Sequence, residues 1–330
     1  MKNILEKLFK QYKLSAIEAE EILKDITTGK YSNEQIASFL TVFNMRPIAV
    51  DELKGFRKAL LDLAIPVDLS AYETIDMCGT GGDGKNTFNI STLASFIVAG
   101  AGYKVAKHGN YGVSSVSGSS NVLEALGYEF TNDEKVLQQQ IEDANITFLH
   151  APKFHPAMAT VAPVRRALKM KTFFNMLGPI VNPARPTHQM TGVFSLELAR
   201  LYHYLFQEEQ GKRFAIIYGL DGYDEISLTD EFVMRDNQGE HLLNPKKLGL
   251  PKIKQEEIFG GNTVDEAVEI FKRILKGKGT EAQNNVVCAN AAVAIGLMKD
   301  KPNAFKSNFE EAKVSLLEGK ALKSLNLITK

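Results

Sequence analysis

The stretch "MCGTGGDGKNTFNISTLASF" (residues 77–96) joins a short apolar segment to an apolar helical pattern through a loop with four glycines. Glycine lets a backbone take positive φ and approach an anion closely, and a helix N-terminus favours a phosphate. The pattern therefore predicts a phosphate-binding loop. Residues 79–85 also fit the P-loop spacing G-x-x-x-x-G-K, but Asn86 stands where that motif needs Ser or Thr for Mg²⁺. This disfavours a P-loop nucleotide-binding protein.

Strand and helix patterns alternate on both sides of this loop. The apolar runs "TIDMC", "YKVAK", "ITFLHA", "QMTGVF" and "FAIIYG" alternate with helical patterns over residues 92–102, 133–144 and 196–209. Thr131 and Glu134 match a capping box at the start of the second helix. Such alternation is typical of an α/β domain with a mainly parallel sheet.

The chain before this region reads as helical throughout. Ser15 with Glu18 and Ser32 with Gln35 each match the capping-box pattern, and no strand-like alternation is present. We therefore expect a small all-helical N-terminal domain over residues 1–69.

The remainder, residues 70–330, is expected to form the larger α/β domain. Within it, "EFVMRDNQGEHLL" predicts a hairpin that turns at residues 237–239, and helices are expected from Val264 onward. The fold class predicted is α/β, a small helical domain joined to a larger domain with a mainly parallel central sheet.

Composition limits the partners that the chain can have. Lys and Arg together number 39, as do Asp and Glu, so no net field attracts nucleic acid or an acidic membrane. The two cysteines, Cys78 and Cys288, are too few for a disulfide framework and suit a reducing compartment. The N-terminus does not resemble a signal peptide, and the longest apolar runs are too short to span a bilayer. We expect a cytoplasmic protein that binds neither nucleic acid nor membrane.

Four loops are candidates for the site, because ligands of open α/β sheets bind beyond the carboxyl ends of the strands. These loops follow Cys78, Val105, His150 and Gly219. The second, residues 107–121, begins with a lysine and continues with small polar residues that can hold phosphate oxygens.

The third and fourth loops carry charged pairs. Arg165 can clamp a carboxylate through two hydrogen bonds, although the spacing of Arg165 and Arg166 alone favours a solvated basic pair. Asp224 and Glu225 can hold Mg²⁺ together with water and substrate phosphates, and the alternative of solvated surface charge is about equally favoured.

Taken together, these motifs resemble the anthranilate phosphoribosyltransferase family, whose members join anthranilate to phosphoribosyl pyrophosphate in tryptophan biosynthesis. The similarity runs in family order from about Asp76 to Ser227. The matching elements are GTGGD (79–83), NIST (89–92), KHGN (107–110), SGSS (117–120), VLEALG (122–127), HPAM (155–158), PVRR (163–166), FNMLGPIVNPA (174–184) and DE (224–225).

The resemblance implies a fold like that of the nucleoside phosphorylases, with substrates between a small helical domain and a larger α/β domain. It also implies that residues 164–185 return to the helical domain as part of a hinge. A homodimer that forms through the helical domains is implied as well.

The same resemblance implies a role for each matching site residue. His108 is a candidate acceptor for the proton of the amine. Mg²⁺ would be held by Ser91, Asp224 and Glu225, and anthranilate by Gly79, Asn110 and Arg165. The contacts implied for phosphoribosyl pyrophosphate are Gly79, Gly82, Asp83, Thr87, Asn89, Ile90, Ser91, Thr92, Lys107, Ser115 and Ser119.

The chain departs from the family pattern at two places. Tyr111 and Gly112 stand where most relatives carry Arg-Ala or Arg-Ser, and Asn121 replaces an aspartate. Two alternatives stay open. A nucleoside phosphorylase-like enzyme would need a lysine–serine–arginine pattern that has no match here. A non-catalytic nucleic-acid-binding relative is opposed by the balanced charge.

Overall fold

The computed structural model describes residues 1–112, 116–301 and 303–329. Ser115, one of the predicted pyrophosphate contacts, lies outside the described residues. The chain divides into two compact units. The first comprises Met1–Val67 and Ala151–Arg185, and the second comprises Asp68–His150 and Pro186–Lys330.

The helices and strands of the two units occur in the following order along the chain. The first unit contains α1 (Lys2–Phe9), α2 (Ala16–Thr27), α3 (Asn33–Met45) and α4 (Val50–Leu63). The second unit begins with β1 (Thr74–Met77), α5 (Ile90–Gly100), β2 (Lys104–Gly109), α6 (Ser119–Ala125), α7 (Glu134–Ala144) and β3 (Ile146–His150). The chain then adds α8 (Ala151–Phe154), α9 (Met158–Leu168), α10 (Phe174–Leu177) and a 3₁₀ turn at Gly178–Ile180 to the first unit. The second unit continues with β4 (His188–Gly192), α11 (Leu196–Gln207), β5 (Arg213–Gly219), β6 (Phe232–Asp236), β7 (Gly239–Leu243), a 3₁₀ turn at Gln255–Ile258, α12 (Val264–Leu275), α13 (Glu281–Met298), α14 (Phe305–Leu317) and α15 (Lys320–Ile328).

The first unit is a helical bundle around an aromatic core. The predicted capping boxes at Ser15 and Ser32 are both present, and each satisfies otherwise unpaired N–H groups at a helix start. α2 and α4 pack so closely that a Cβ on Gly55 would lie 2.2 Å from the carbonyl oxygen of Ala16. The core rings are Phe39, Phe43, Phe56, Phe173 and Phe174.

The borders of the units differ slightly from the predicted domains. The helical unit ends at Val67 rather than at residue 69, and the returning segment begins at Ala151 rather than near residue 164. The reason is that the chain leaves β3 directly into α8. There Phe154 is fully buried, and its carbonyl oxygen accepts a hydrogen bond of 2.8 Å from the N–H of Ile65.

The second unit is built on a seven-stranded sheet in the order β3-β2-β1-β4-β5-β6-β7. The first five strands are parallel, and β6 and β7 form an antiparallel hairpin on one edge. This confirms the predicted mainly parallel sheet and the hairpin at residues 237–239. Because β2, β1, β4 and β5 are neighbours with the same direction, their carboxyl ends bring the loops after β1, β2 and β5 to one edge.

Helices cover the sheet and place its loops. α5 is buried along nearly its whole length and packs against α13, α14 and α15, and α13 also contacts β1, β4 and β5. α5 begins at Ile90, two residues before the predicted start. α7 is capped by Asp133, whose side chain accepts from the N–H of Lys135, so the predicted Thr131–Glu134 box is wrong. In that sequence Asp133 lies nearer to the helix start and caps it instead.

One predicted loop begins later than expected. Lys107 and His108 were placed at the start of the loop after Val105, but both belong to β2 and each is only 2% exposed. The cause is the parallel pairing with β3, which continues through Lys107 with Phe148, His108 with Leu149 and Gly109 with His150. The loop therefore starts at Asn110.

In the described part of the chain, no helix has the length and apolar character needed to cross a membrane.

Candidate active site

The glycine-rich segment after β1 forms an open backbone cradle. Gly81, Gly82 and Gly84 have φ values of 59°, 74° and 74°, in the left-handed region that side chains rarely adopt. No atom lies within 4 Å of a Cβ built on Gly81 or on Gly84, so the demand for glycine at these two positions comes from the backbone conformation. Successive N–H groups in such a conformation form a concave site for an anion.

This cradle, residues 79–89, is held in place by a distant segment, residues 258–261. The N–H of Gly260 donates to the carbonyl oxygen of Asn86 at 2.9 Å, and Thr87 pairs with Phe259 as an antiparallel bridge. The side-chain amide of Asn86 donates to the carbonyl oxygen of Gly261 at 2.7 Å. Asn86, which breaks the P-loop motif, therefore anchors the loop.

The two acidic side chains of the loop after β5 lie against the cradle. The N–H of Gly81 donates to Oδ2 of Asp224 at 2.8 Å, and the N–H of Ser91 donates to Oε1 of Glu225 at 3.3 Å. Asp224 and Glu225 come from a loop more than 130 positions later in the chain than their partners, so the sheet order is what brings them to the glycines. The structure thus places Ser91, Asp224 and Glu225 together.

Burial and mutual repulsion make this acidic pair unusual. Burial raises the pKa of the Asp224 carboxyl to about 7, and the nearby charge of Asp83 adds to the rise. Burial also raises the pKa of Glu225 well above its usual range, with further contributions from the charges of Asp224 and Asp83. Oε2 of Glu225 is buried and has no hydrogen-bond partner among the described residues. Carboxylates in this state gain from a bound cation.

The donor set fits magnesium rather than a metal that is caged by protein alone. Among the described residues, no three His, Cys, Asp or Glu side chains converge to form a complete metal cage. Mg²⁺ does not require one, because it is commonly held by one or two carboxylates and takes its other ligands from water and substrate phosphates.

Close backbone contacts explain two further glycines at this edge. A Cβ on Gly79 would lie 2.8 Å from Oδ2 of Asp224, and a Cβ on Gly192 would lie 1.4 Å from the carbonyl oxygen of Asp224. The backbone of Asp224 therefore excludes a side chain at Gly192, whereas a Cβ on Gly79 would require the carboxylate of Asp224 to move. Together these segments line a small open cavity, whose walls are Met77, Cys78, Gly79, Ser91, Met190, Gly192, Ile217, Asp224, Glu225 and Asn290.

The loop after β2 is closed by the side chain of Asn121. Its Oδ1 accepts from the N–H of Gly112 and from the N–H of Gly118, both at 3.0 Å. The two glycines approach so closely that a Cβ on Gly118 would lie 2.2 Å from the nitrogen of Gly112. Asn121 thus joins the two ends of the loop, although it lacks the carboxylate of the family pattern.

The other residues at this loop bond to one another. The carbonyl oxygen of Asn110 accepts from the N–H of Ser120 and from the hydroxyl of Ser119, both at 3.3 Å. The hydroxyl of Tyr111 donates to Oε1 of Glu124 at 2.9 Å. The side chain of Asn89 reaches this loop from the cradle and donates to the carbonyl oxygen of Ser117 at 3.0 Å. The two predicted phosphate loops are therefore in direct contact.

Several predicted contacts lie below the surface of the site. The ammonium of Lys107 donates to the carbonyl oxygen of Met77, and the N–H of His108 donates to Oδ1 of Asp76 at 3.0 Å. The side chains of Ile90 and Thr92 are 0% and 1% exposed. These four residues underlie the loops.

Arg165 belongs to the other unit, on α9. It is half-buried, its Nη2 donates to Oδ1 of Asn175 at 3.4 Å, and its guanidinium lies over the ring of Phe174 at 5.3 Å. Burial lowers the pKa of its guanidinium, but an arginine stays charged at neutral pH. Arg166 is exposed. The structure therefore separates the two arginines that sequence spacing treats as a pair.

Two residues outside the predicted set, Lys85 and Asn290, also contribute to the site. The ammonium of Lys85 lies 4.7 Å from the ring centroid of Tyr223 and so links the cradle to the acidic loop. Asn290 lines the cavity from α13 and bonds to Ile226. A buried amide in the apolar run "VVCANAAVAIGL" was the available signal for Asn290, whereas the G-x-x-x-x-G-K spacing of residues 79–85 marks Lys85 but not its contact with Tyr223.

The class of protein follows from the two units and this site. The chain matches two models of the glycosyl transferase family, the helical bundle domain over residues 2–64 and the a/b domain over residues 71–322. It is 58% identical to anthranilate phosphoribosyltransferase from Flavobacterium psychrophilum, with 98% of each chain covered. It is 56% identical to that from Christiangramia forsetii, covering 100% of this chain and 99% of the relative. The chain belongs to the anthranilate phosphoribosyltransferase family of transferase enzymes.

Solved structures agree with this assignment. Anthranilate phosphoribosyltransferase from Thermus thermophilus aligns with a TM-score of 0.89 and 32% identity, covering 98% of this chain and 97% of that one. The enzyme from Saccharomyces cerevisiae, solved in complex with PRPP and Mg, aligns with a TM-score of 0.90 and 28% identity, covering 98% and 95%. The predicted family and fold class are confirmed.

Proposed function

We propose that the chain transfers the phosphoribosyl group of 5-phosphoribosyl 1-pyrophosphate to the amine of anthranilate. The products are N-(5-phosphoribosyl)anthranilate and pyrophosphate, in the biosynthesis of L-tryptophan. The observation that carries the proposal is the left-handed glycine cradle directly against the half-buried pair Asp224 and Glu225. Relatives that are 52–58% identical over nearly the whole chain carry the name anthranilate phosphoribosyltransferase.

The cradle and the loop after β2 are the proposed site for phosphoribosyl pyrophosphate. Support comes from the glycine conformations, the N-terminus of α5 beside them and the hydrogen bond that joins Asn89 to Ser117. Lys107 would act from below as a buried positive charge. The proposed contacts are Gly79, Gly82, Asp83, Thr87, Asn89, Ile90, Ser91, Thr92, Lys107, Ser115 and Ser119.

Ser91, Asp224 and Glu225 are the proposed magnesium ligands, directly or through water. Their support is the buried Oε2 of Glu225 and the raised pKa of both carboxyls, which a bound cation would reverse. A magnesium ion on the pyrophosphate would neutralise part of the charge of the leaving group. The ion bound by the yeast relative is consistent with this use.

The reaction does not require a strong general base before attack. An aromatic amine is unprotonated at neutral pH, so it can attack C1 of the ribose without prior deprotonation. The slow part is departure of pyrophosphate, during which positive charge develops on the ribose and negative charge on the leaving oxygen. The N–H groups of the cradle are fixed donors for that negative charge. His108 is proposed to accept the amine proton afterwards.

Gly79, Asn110 and Arg165 are proposed to hold anthranilate. Arg165 would bind its carboxylate, because a guanidinium donates two parallel hydrogen bonds to that group. The complex of the yeast relative with 4-fluoroanthranilate supports an aromatic acid as acceptor.

Arg165 is tested against its neighbour. Arg165→Ala should lower kcat/KM for anthranilate by roughly ten- to a hundredfold, the range of a charged hydrogen bond of about 1.5–3 kcal/mol, and leave the KM for phosphoribosyl pyrophosphate nearly unchanged. Arg165→Lys should recover part of the loss, because an ammonium lacks the planar fork. Arg166→Ala is the matched control on the exposed side of α9. Equal effects of the two alanine variants would contradict the clamp.

A homodimer that forms through the helical unit is also proposed, together with a cytoplasmic location. Large apolar side chains of the helical unit are exposed, among them Phe9 (63%), Tyr12 (61%), Ile17 (68%) and Met45 (79%). Exposed apolar side chains form an interface where they make up a contiguous patch, and the helical unit is the proposed place for one. Sedimentation velocity should give a dimer, which Ile17→Glu should weaken. A monomer at micromolar concentration would contradict the proposal.

The whole proposal is tested by following the loss of anthranilate fluorescence with phosphoribosyl pyrophosphate and Mg²⁺. Turnover should require both, and a nucleic-acid binding measurement beside it should show no association. The double variant Asp224→Asn, Glu225→Gln should fold and lose nearly all activity. Absence of turnover in the wild-type protein, or wild-type turnover in the double variant at limiting Mg²⁺, would overturn the assignment.

A further inference from the structure

We infer that Asn290 is a positioning residue that holds the acidic loop at the magnesium site. The inference rests on the proposed metal role of Asp224 and Glu225. Asn290 is not one of the proposed substrate contacts; it acts through the backbone of Ile226, the residue after Glu225.

The geometry is a side-chain amide that pairs with a single peptide unit. The N–H of Ile226 donates to Oδ1 of Asn290 at 3.2 Å, and Nδ2 of Asn290 donates to the carbonyl oxygen of Ile226 at 3.0 Å. Nδ2 also donates to the carbonyl oxygen of Val286, one turn earlier on α13, at 2.9 Å. Asn290 is 2% exposed. These three bonds fix the amide and, with it, both main-chain groups of Ile226.

The acidic loop needs such an external hold. Asp83, Asp224 and Glu225 bring three carboxyl groups to one edge, where burial and mutual repulsion disfavour the charged forms of Asp224 and Glu225. Two residues beyond Ile226, Leu228 has a φ of 61°, a left-handed conformation that is costly for leucine. A strained loop with crowded carboxyl groups keeps its place only when surrounding groups bind it.

α13 is a suitable support because it is anchored by packing outside the loop. The helix packs against α5, β4 and β5, and thirteen of its residues are buried. Asn290 lines the same cavity as Asp224 and Glu225. The amide therefore transmits the position of a rigid helix to the carboxylates, so the magnesium affinity of the enzyme depends on a residue that binds no magnesium.

Asn290→Ser is the test variant, because it should keep the hydrogen bond to Val286 but not both hydrogen bonds to Ile226. A serine hydroxyl can donate to the carbonyl oxygen four residues earlier, here that of Val286, but is too short to replace both bonds to Ile226. Asn290→Ala is the second variant and removes all three bonds. Asn308→Ala is the matched control, since Asn308 is also a buried helical asparagine (1% exposed) whose amide donates to the carbonyl oxygen of Lys301 in another region.

Two readouts separate positioning from general stability. In Asn290→Ser, amide hydrogen exchange of the peptide that covers residues 222–229 should be about tenfold faster. The Mg²⁺ concentration for half-maximal velocity should rise about tenfold, while the KM for anthranilate changes less than twofold. Asn308→Ala should lower the unfolding temperature without either change.

The result that overturns the inference is a folded Asn290→Ser protein with wild-type exchange over residues 222–229 and a wild-type Mg²⁺ requirement. Equal changes in Asn290→Ser and Asn308→Ala would also overturn it, because they would show a structural role alone. If Asp224→Asn leaves the Mg²⁺ requirement unchanged, the proposed metal role fails, whereas the hydrogen-exchange result still reads the hold on the loop.

Discussion

Two loops of the second unit look alike in sequence and are built differently. The cradle (residues 79–89) and the loop after β2 (residues 110–118) both follow a parallel strand, contain several glycines and lead into a helix. The cradle is held by main-chain bonds to other segments, such as the N–H of Thr80 to the carbonyl oxygen of Gly192 at 2.9 Å. The described part of the second loop is held by the side chain of Asn121.

The difference shows which contacts fix the conformation of each loop. The cradle depends on the close approach of other backbones, so substitutions in those distant segments should deform it. The second loop depends mainly on short-range bonds, those of the Asn121 side chain and those to the carbonyl oxygen of Asn110, so it should be sensitive to its own residues. Both loops are proposed to bind the same pyrophosphate, which makes the comparison measurable.

The largest effect is expected at Gly192. An added Cβ would lie 1.4 Å from the carbonyl oxygen of Asp224, so Gly192→Ala must separate β4 from the acidic loop and move the cradle with it. We expect kcat/KM to fall about a hundredfold or more and the unfolding temperature to fall as well. Gly178→Ala is the control, since its Cβ would meet no atom within 4 Å. Wild-type activity in Gly192→Ala would contradict the claim that the close approach of other backbone segments fixes the cradle.

Asn121 gives the next effect, in the second loop. Asn121→Ala leaves the N–H groups of Gly112 and Gly118 without their acceptor, a loss of two hydrogen bonds of about 1 kcal/mol each. The KM for phosphoribosyl pyrophosphate should rise about tenfold, with hydrogen exchange over residues 79–89 unchanged. Asn121→Asp should behave nearly as wild type, because a carboxylate oxygen accepts the same two bonds. Similar losses in both variants would show that the amide donor matters instead.

The pH dependence of stability without Mg²⁺ tests the environment of Asp224 in the acidic loop. The pKa of Asp224 is about 7 in the folded state and 3.8 in the reference state, so the folded state binds the proton more tightly. The destabilisation grows as pH rises above about 4 and is complete above about 7. Without Mg²⁺, the unfolding temperature of Asp224→Asn should therefore exceed that of wild type by about 2–4 °C more at pH 8 than at pH 6. A constant difference between the two proteins across this range would contradict the raised pKa.

The smallest effect is expected at Tyr111. Its hydroxyl bonds to the exposed Glu124, so Tyr111→Phe should change stability by less than about 0.5 kcal/mol and activity by less than twofold. Tyr111→Ala also removes the edge-to-face contact with the ring of His150, at 4.9 Å between centroids. We expect a several-fold higher KM for phosphoribosyl pyrophosphate in that variant. Equal kinetics in the two variants would show that the ring has no role in the loop.

Patterns that depend on near neighbours in the chain were predicted well. The capping boxes at Ser15 and Ser32, the five parallel strands and the hairpin after residue 231 follow from local hydrogen bonding and from the period of apolar residues. The start of α7 was predicted to within one residue, but its capping residue was not, because Thr131 and Asp133 compete within three positions and only Asp133 lies next to the helix.

The site residues show the same division between features set by near neighbours in the chain and features set by long-range contacts. Glycines 79–84 and the pair Asp224 and Glu225 were identified from their residue types. That the N–H of Gly81 meets the carboxylate of Asp224 depends on the order of strands in the sheet. Lys107 and His108 were predicted to begin the loop after Val105, but pairing with β3 extends β2 through them.

By itself the sequence determined the family, the helical and α/β units and the segments that carry the chemistry, because residue types and short-range periodicity encode them. Only the tertiary structure decided which of these groups are buried and what they contact. The raised pKa of Asp224 and the bond of Asn290 to Ile226, 64 positions away, arise when distant segments exclude water from one another. No local pattern contains that information, since desolvation and long-range contact are properties of the folded chain.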